Sequence, residues 1–208
     1  DITSIVALVK KYKFDEVYNL AAQSFVKSSF ATPISTSDVT GLGPLRILDT
    51  LKYFSPKTKF YQASTSEMYG EVETSLLNEK SRFNPRSPYA VSKLFAHGIT
   101  KNYRESYGMF CCSGILFNHE SPLRGEEFVT RKITKQLCEI SLGQRKFIEL
   151  GNIYAKRDWG YAKDYVEGMW KMLQQQKPED YVLASNTVYT VKYFLNECFK
   201  ALNFSIEW

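Results

Sequence analysis

From Met109 to Phe117 the chain carries no charged side chain, and the run is bounded by Gly108 and Asn118. So short an apolar stretch fits a strand buried on both faces, and such a strand requires helices above and below the sheet it joins. The remaining sequence supplies both kinds of element. Helices are predicted over Asp1–Tyr12 (apolar face Ile5, Leu8, Val9), Pro33–Phe54, Pro88–Tyr107, Phe128–Leu142, Tyr161–Gln176 and Val191–Leu202. Gly41, Gly43 and Pro44 weaken the middle of the second of these, since proline removes an interior hydrogen bond. Strands are predicted over Glu16–Leu20, Lys59–Ala63, Phe147–Leu150 and Tyr181–Ala184, with turns at Ala21–Ser24 and Gly151–Asn152 and a loop over Glu71–Arg86. Alternation of this kind predicts an α/β fold: a doubly wound, mainly parallel sheet with helices on both faces. Such sheets bind ligands beyond the carboxyl ends of their strands, which directs attention to Ala21–Ser24, Ser64–Gly70 and Asn118 onward.

Composition narrows the classes. The 208 residues are 44% hydrophobic, enough for a substantial core, and the net charge of +5 comes from 27 basic and 22 acidic residues. The densest basic groups, Lys10-Lys11-Lys13 and Arg131-Lys132-Lys135, read as solvated faces and not as a nucleic-acid stripe. No apolar run reaches the length of a membrane span and no cleavable signal opens the chain, so neither a membrane nor a nucleic acid is an expected partner. Cys111, Cys112, Cys138 and Cys198 lack zinc-site spacing and read as reduced, mostly buried small hydrophobes of a cytoplasmic protein. Cys111 and Cys112 are expected on opposite faces of their strand. His97 and His119 are the sole histidines, and no metal site is expected.

The chemistry concentrates between Ser64 and Lys93. Ser64-Thr65-Ser66-Glu67-Met68-Tyr69-Gly70 follows a predicted strand, and Thr65 and Glu67 point the same way if the extended geometry persists. Ser87 is suited to cap a helix whose first residue is Pro88, placing Tyr89 and Lys93 four apart on one face. Lys93 and the positive helix end both favour the phenolate of Tyr89; at roughly 4 Å and an effective dielectric of about 20 the Coulomb contribution is on the order of 4 kcal/mol before desolvation. Tyr89 is thereby a candidate base for an alcohol and Glu67 for a second proton.

A strand ending Ser64-Thr65-Ser66-Glu67, followed at this distance by Tyr89 and Lys93 on a helix, resembles the extended short-chain dehydrogenase/reductase family. Tyr18-Asn19-Leu20-Ala21-Ala22-Gln23-Ser24, Phe60 to Glu67, Gly114 to Pro122 and Lys156-Arg157-Asp158-Trp159-Gly160 are similar to its branch that acts on GDP-mannose, and the likeness runs the length of the chain. The resemblance implies NADP as cofactor, held by Leu20, Ala21, Ala22, Gln23, Ser24, Tyr89, Lys93, His119 and Arg124. It implies GDP-mannose as substrate, held by Thr65, Asn118, Lys132 and Arg157, and a catalytic set of Thr65, Glu67, Tyr89 and Lys93. The implied reaction is dehydration by internal hydride transfer, in a homo-oligomer (dimer or tetramer). Residues 1–118 are expected to be the later portion of the cofactor-binding domain, and 119–208 a partial nucleotide-sugar-binding region interleaved with the sheet.

The sequence departs from the family at several points. Phe25 stands for a histidine, Ser35 for a tyrosine near the cofactor, Tyr154 for an acidic or polar residue and Tyr161 for a histidine. The glycine-rich phosphate turn is not found in the chain. The resemblance places it before Asp1, and places further sequence after Trp208, so the chain is expected to be truncated at both ends and inactive alone. Two other readings use the same residues. A nucleotide-sugar 4-epimerase needs Tyr89 and Lys93 but not Glu67, and a degenerate, non-catalytic homologue needs none of the four.

Overall fold

A computed structural model describes residues 1–71 and 76–205. The elements in chain order are α1 (Ile2–Tyr12), β1 (Glu16–Asn19), α2 (Val26–Ala31), α3 (Pro33–Ser37), a π-helical turn (Asp38–Leu42), α4 (Gly43–Phe54), β2 (Lys59–Thr65) and a 3-10 turn (Ser66–Met68). Then follow α5 (Pro88–Tyr107), β3 (Cys111–Leu116), β4 (Asn118–Glu120), α6 (Val129–Ser141), β5 (Lys156–Tyr161), α7 (Ala162–Leu173), β6 (Asp180–Leu183), β7 (Val188–Thr190) and α8 (Val191–Ala201).

The chain divides into two compact units. The first, residues 1–116 and 165–183, holds a four-stranded, wholly parallel sheet in the order β1-β2-β3-β6. All six residues of β3 are buried, as a strand covered on both faces must be. One face packs Phe60 and Cys111 against Val9, Leu48, Leu51 and Tyr103 from α1, α4 and α5. The other packs Tyr61, Ala63 and Cys112 against Tyr165, Met169, Met172 and Leu173 of α7. Cys111 and Cys112 thus face opposite sides, as alternation requires, whereas Cys138 is exposed.

The expected helix over Pro33–Phe54 is continuous only through its π turn. Pro44 has no N–H to donate, and the register slips by one residue so that the Gly43 N–H reaches the Asp38 carbonyl. Arg46 closes the bulge, its guanidinium donating to the Asp38 carbonyl at 3.2 Å and to its carboxylate at 2.6 Å. The short α2 was not foreseen in the sequence.

The second unit, residues 117–164 and 184–208 so far as described, holds the sheet β4-β5-β7, with β4 and β5 parallel and β5 and β7 antiparallel. Its core is Ile133 and Leu137 of α6 with Val191 and Leu195 of α8. The strand expected over Phe147–Leu150 does not form: among the described residues no strand pairs with it, and Ile148 and Leu150 instead pack on the α6–α8 core. Asn118–Glu120, for which no strand is predicted, is a strand because β5 pairs with it, and α7 begins one residue after the predicted start and ends at Leu173. The second crossing between units, at 164/165, returns α7 and β6 to the first sheet.

Candidate active site

In the first unit the turn after β2 and the start of α5 carry the four expected reactive residues. Ser87 caps α5 by accepting the Ala90 N–H at 3.1 Å, Pro88 occupies the first turn, and Gly108 closes the helix in the left-handed conformation at φ 65°. Tyr89 and Lys93 are both buried. The Lys93 ammonium donates to the Ala63 carbonyl at 2.7 Å, within β2, and lies 5.9 Å from the centre of the Tyr89 ring. The helix start and the strand end are therefore joined by a charged group with almost no access to water.

The extended geometry of β2 stops at Thr65. Thr65 Oγ1 accepts the Glu67 N–H at 3.3 Å and starts the 3-10 turn, so Thr65 is buried and the Glu67 side chain is exposed; they do not share one direction as continued strand geometry would have given. Gly70 lets the chain double back: at φ +62°, an added Cβ would lie 1.8 Å from the Asn84 carbonyl oxygen. The returning loop is fastened by Asn84 N–H to the Met68 carbonyl (2.9 Å) and by the Tyr69 hydroxyl to the Asn78 carbonyl (2.8 Å). Residues 72–75 of the expected Glu71–Arg86 loop lie outside the described residues.

Burial pushes Lys93 down from its ordinary lysine range to about 8. Between pH about 8 and about 10.5 the folded chain has shed this proton while the unfolded chain still holds it, so the Lys93 contribution to stability rises with pH across that window. Below it, the charge costs on the order of 3 kcal/mol. Lys93→Met removes that cost, and the Ala63 carbonyl keeps the Gln62 side-chain amide at 3.0 Å. The variant is expected to unfold at higher denaturant than the parent at pH 7, by roughly 1–3 kcal/mol, with the difference closing by pH 10, while turnover falls. Chemical denaturation at the two pH values measures it; a variant less stable than the parent at pH 7 would show the ammonium to be a net anchor.

Beyond the end of β1, Leu20, Ala21 and Ser24 are exposed and Ala22 and Gln23 half-buried. The Gln23 N–H donates to Thr40 Oγ1 (3.1 Å) and its side-chain amide to the Phe25 carbonyl (3.1 Å), whereas Gln23 Oε1 is buried without a hydrogen-bond partner.

In the second unit, Asn118 and His119 belong to β4. The His119 Nδ1–H donates to the Phe117 carbonyl at 2.9 Å, which fixes that tautomer. Arg124 pairs with Glu120 at 3.3 Å and stacks 3.6 Å over the Phe128 ring, and Glu120 also accepts the Thr130 hydroxyl at 2.5 Å. Lys132 is half-buried on α6; Arg157 is exposed on β5, with one guanidinium N–H on the Lys156 carbonyl at 2.7 Å. Asp158, inside the same motif, is structural: it is buried and accepts the Ser185 N–H at 3.0 Å. A cavity of about 410 Å³ opens in this unit, lined among others by Glu120, Thr130, Arg131, Trp159, Tyr161 and Phe194; Asn118, His119, Arg124, Lys132 and Arg157 do not line it. Its aromatic wall was not foreseen, because Trp159 and Phe194 meet only through the fold, at 5.5 Å between ring centres. Of the departures, Tyr161 lines this cavity, Tyr154 carries the Lys192 ammonium 5.5 Å over its ring, Ser35 is exposed, and Phe25 immediately precedes α2 at its cap position. Among the described residues no cluster of histidine, cysteine and carboxylate side chains is arranged to hold a metal ion, and no helix is long and apolar enough to cross a membrane.

The architecture is shared with solved structures. RMD from Pseudomonas aeruginosa, complexed with NADPH, matches all of this chain and 72% of its own with a TM-score of 0.94 at 25% identity. The dTDP-glucose 4,6-dehydratase DesIV from Streptomyces venezuelae matches 99% of this chain and 62% of its own with a TM-score of 0.89 at 20% identity, which shows the fold alone. Sequence relatives are nearer. GDP-mannose 4,6 dehydratase from Dictyostelium discoideum is 51% identical over the whole chain, and GDP-mannose 4,6-dehydratase from Sinorhizobium fredii is 50% identical. The chain spans 59% and 60% of their lengths. The family model for GDP-mannose 4,6 dehydratase matches residues 1–208, so the turn carrying Thr65 and Glu67 and the helix carrying Tyr89 and Lys93 sit within a chain that belongs, over its full extent, to the GDP-mannose 4,6-dehydratase family.

Proposed function

We propose that the enzyme completed to the length of its relatives converts GDP-mannose to GDP-4-keto-6-deoxymannose, using NADP. The observation that carries this reading is the junction of β2 and α5: two separate proton-accepting groups, Glu67 and Tyr89, stand on segments locked together through Lys93 and the Ala63 carbonyl. Tyr89 accepts the proton of the sugar 4-hydroxyl. The resulting ketone acidifies the C5–H bond, and Glu67, exposed on its turn, removes that proton. Thr65 positions the sugar hydroxyl, and the C6 hydroxyl leaves as water with the proton that Glu67 took from C5. NADP, when bound, would supply the hydride acceptor at C4 and the hydride donor at C6, with a proton returning to C5.

Leu20, Ala21, Ala22, Gln23, Ser24, Tyr89, Lys93, His119 and Arg124 would hold the cofactor. The turn after β1 fits a polar dinucleotide: two alanines leave its backbone approachable, and Gln23 Oε1 is a buried acceptor awaiting a donor. The NADPH carried by the Pseudomonas neighbour supports the choice of cofactor. Asn118, Lys132 and Arg157 would bind the nucleotide sugar, the cations on its diphosphate. We also read the enzyme as a cytoplasmic homo-oligomer: its four cysteines are unpaired, and Val91 and Phe95 form an exposed apolar pair one turn apart on α5.

Lys132→Ala and Arg157→Ala are each expected to weaken GDP-mannose binding by about tenfold, with a smaller effect on NADP. Calorimetry on the completed enzyme measures both. Unchanged GDP-mannose affinity after both replacements would move the substrate assignment to the 4-epimerase reading.

A further inference from the structure

Behind the reactive face runs a buried polar chain that the reaction does not use. His97, one turn beyond Lys93 on α5, places Nδ1 3.1 Å from Ser64 Oγ, and its Nε2 lies 3.8 Å from an Asp180 carboxylate oxygen on β6. Arg104, two further turns along, holds Asp180 through two N–H bonds of 2.9 Å and also donates to the Cys111 carbonyl of β3 at 3.0 Å. Ser64 and His97 are buried, and the Phe83 ring of the returning loop stands edge-on to the imidazole at 5.3 Å.

The Asp180 carboxylate determines the imidazole tautomer. An Nε2–H facing it is attracted, whereas an Nε2 lone pair would be repelled, so Nε2 carries the proton and Nδ1 accepts the Ser64 hydroxyl. Consecutive turns of α5 therefore bond to consecutive residues of β2: Lys93 to the Ala63 carbonyl and His97 to the Ser64 side chain. The next residue of β2 is Thr65, which begins the turn holding Glu67.

We propose that His97 is a positioning residue: by bonding Ser64 while facing Asp180, it sets the register of the helix bearing Tyr89 and Lys93 against the strand bearing Thr65. The proposal rests on the dehydratase reading for its kinetic consequence but not for its geometry. Burial lowers His97 from its ordinary value; Asp180 opposes that shift, and Arg104 and Lys101 of α5 add to it. The site thus favours a neutral ring; when the ring takes up a proton on the acid side, Nδ1 no longer accepts and the Ser64 bond must reverse.

In the completed enzyme, His97→Ala is expected to lower kcat by about 10- to 100-fold, as a small misplacement of reacting groups does, with KM for GDP-mannose within about twofold. His97→Asn, which keeps an acceptor for Ser64 without a titrating ring, should restore most of kcat and flatten the acid limb of the kcat–pH profile. Unchanged kcat in His97→Ala, no rescue by Asn, or an acid limb identical in His97→Asn would each overturn the proposal. If His97→Ala does not fold, the Asn variant and the ring ¹⁵N shifts of His97 in the wild-type protein decide. Those shifts should report a neutral ring protonated on Nε2 at pH 7 without substrate; a ring protonated on Nδ1 would sink the proposal whatever the reaction. An enzyme lacking dehydratase activity, yet showing those shifts, would instead overturn the proposed function and leave the geometry standing.

Discussion

Tyr89→Phe in the completed enzyme is expected to lower turnover by about 10³-fold, within the range that a positioned acid–base group supplies. The ring is buried at the start of α5, so Phe preserves the packing and removes one oxygen. Affinities for NADP and GDP-mannose should stay within about threefold, because neither depends mainly on that hydroxyl. Single-turnover mixing is the decisive measurement: with the 4-hydroxyl proton left without an acceptor, no reduced cofactor should accumulate. A burst of reduced cofactor at the parental rate would remove Tyr89 from the first step.

Glu67→Gln should fail later in the sequence. The amide keeps the shape of the side chain, and the turn it stands on is made by the Glu67 N–H and Thr65 Oγ1, which the change leaves alone. Oxidation at C4 proceeds, so reduced cofactor is expected to build up, while product formation falls by about 10²- to 10⁴-fold. Exchange of the C5 hydrogen with deuterated water, followed by NMR, should disappear in the same variant. Normal exchange with normal dehydration would show that another group abstracts the C5 proton. The two variants together separate the proton taken from oxygen from the proton taken from carbon, which is what distinguishes a dehydratase from a 4-epimerase on this scaffold.

What could be read in advance was local in origin. Ser87 and Pro88 announce the start of α5, Gly108 its end, and the uncharged run after it the buried strand β3. The candidate quartet could be named from the sequence because its members lie at the two ends of one connection, the end of β2 and the start of α5. The small sheet was not, because β4 and β5 are short and polar: Asn118–Glu120 and Lys156–Tyr161 become strands through pairing with each other, and β7 through pairing with β5. The opposite error arose at Phe147–Leu150, whose apolar residues suited a strand but found no partner, and Ile148 and Leu150 settled on a helix surface. Thr65 and Glu67 diverge because a threonine hydroxyl can capture a nearby N–H and end a strand. Nothing in sequence order joins Ser64, His97 and Asp180; the parallel register that pairs Ser64 with Ile115 and Ser113 with Asp180 brings them within reach.

That last pairing also bears on how the protein reaches its folded state. β6 joins the sheet next to β3 although Ser113 and Asp180 are about 67 residues apart in sequence. Closing so long a flexible segment costs on the order of 4 kcal/mol of chain entropy, a sum reduced if α6 and its neighbours have already compacted the intervening chain. Until that happens, β3 presents an open edge during synthesis, and Arg104 waits on α5 without its carboxylate. A ribosome paused before β6 would therefore hold a nascent chain whose β3 margin lacks its neighbour, an edge open to pairing with another strand.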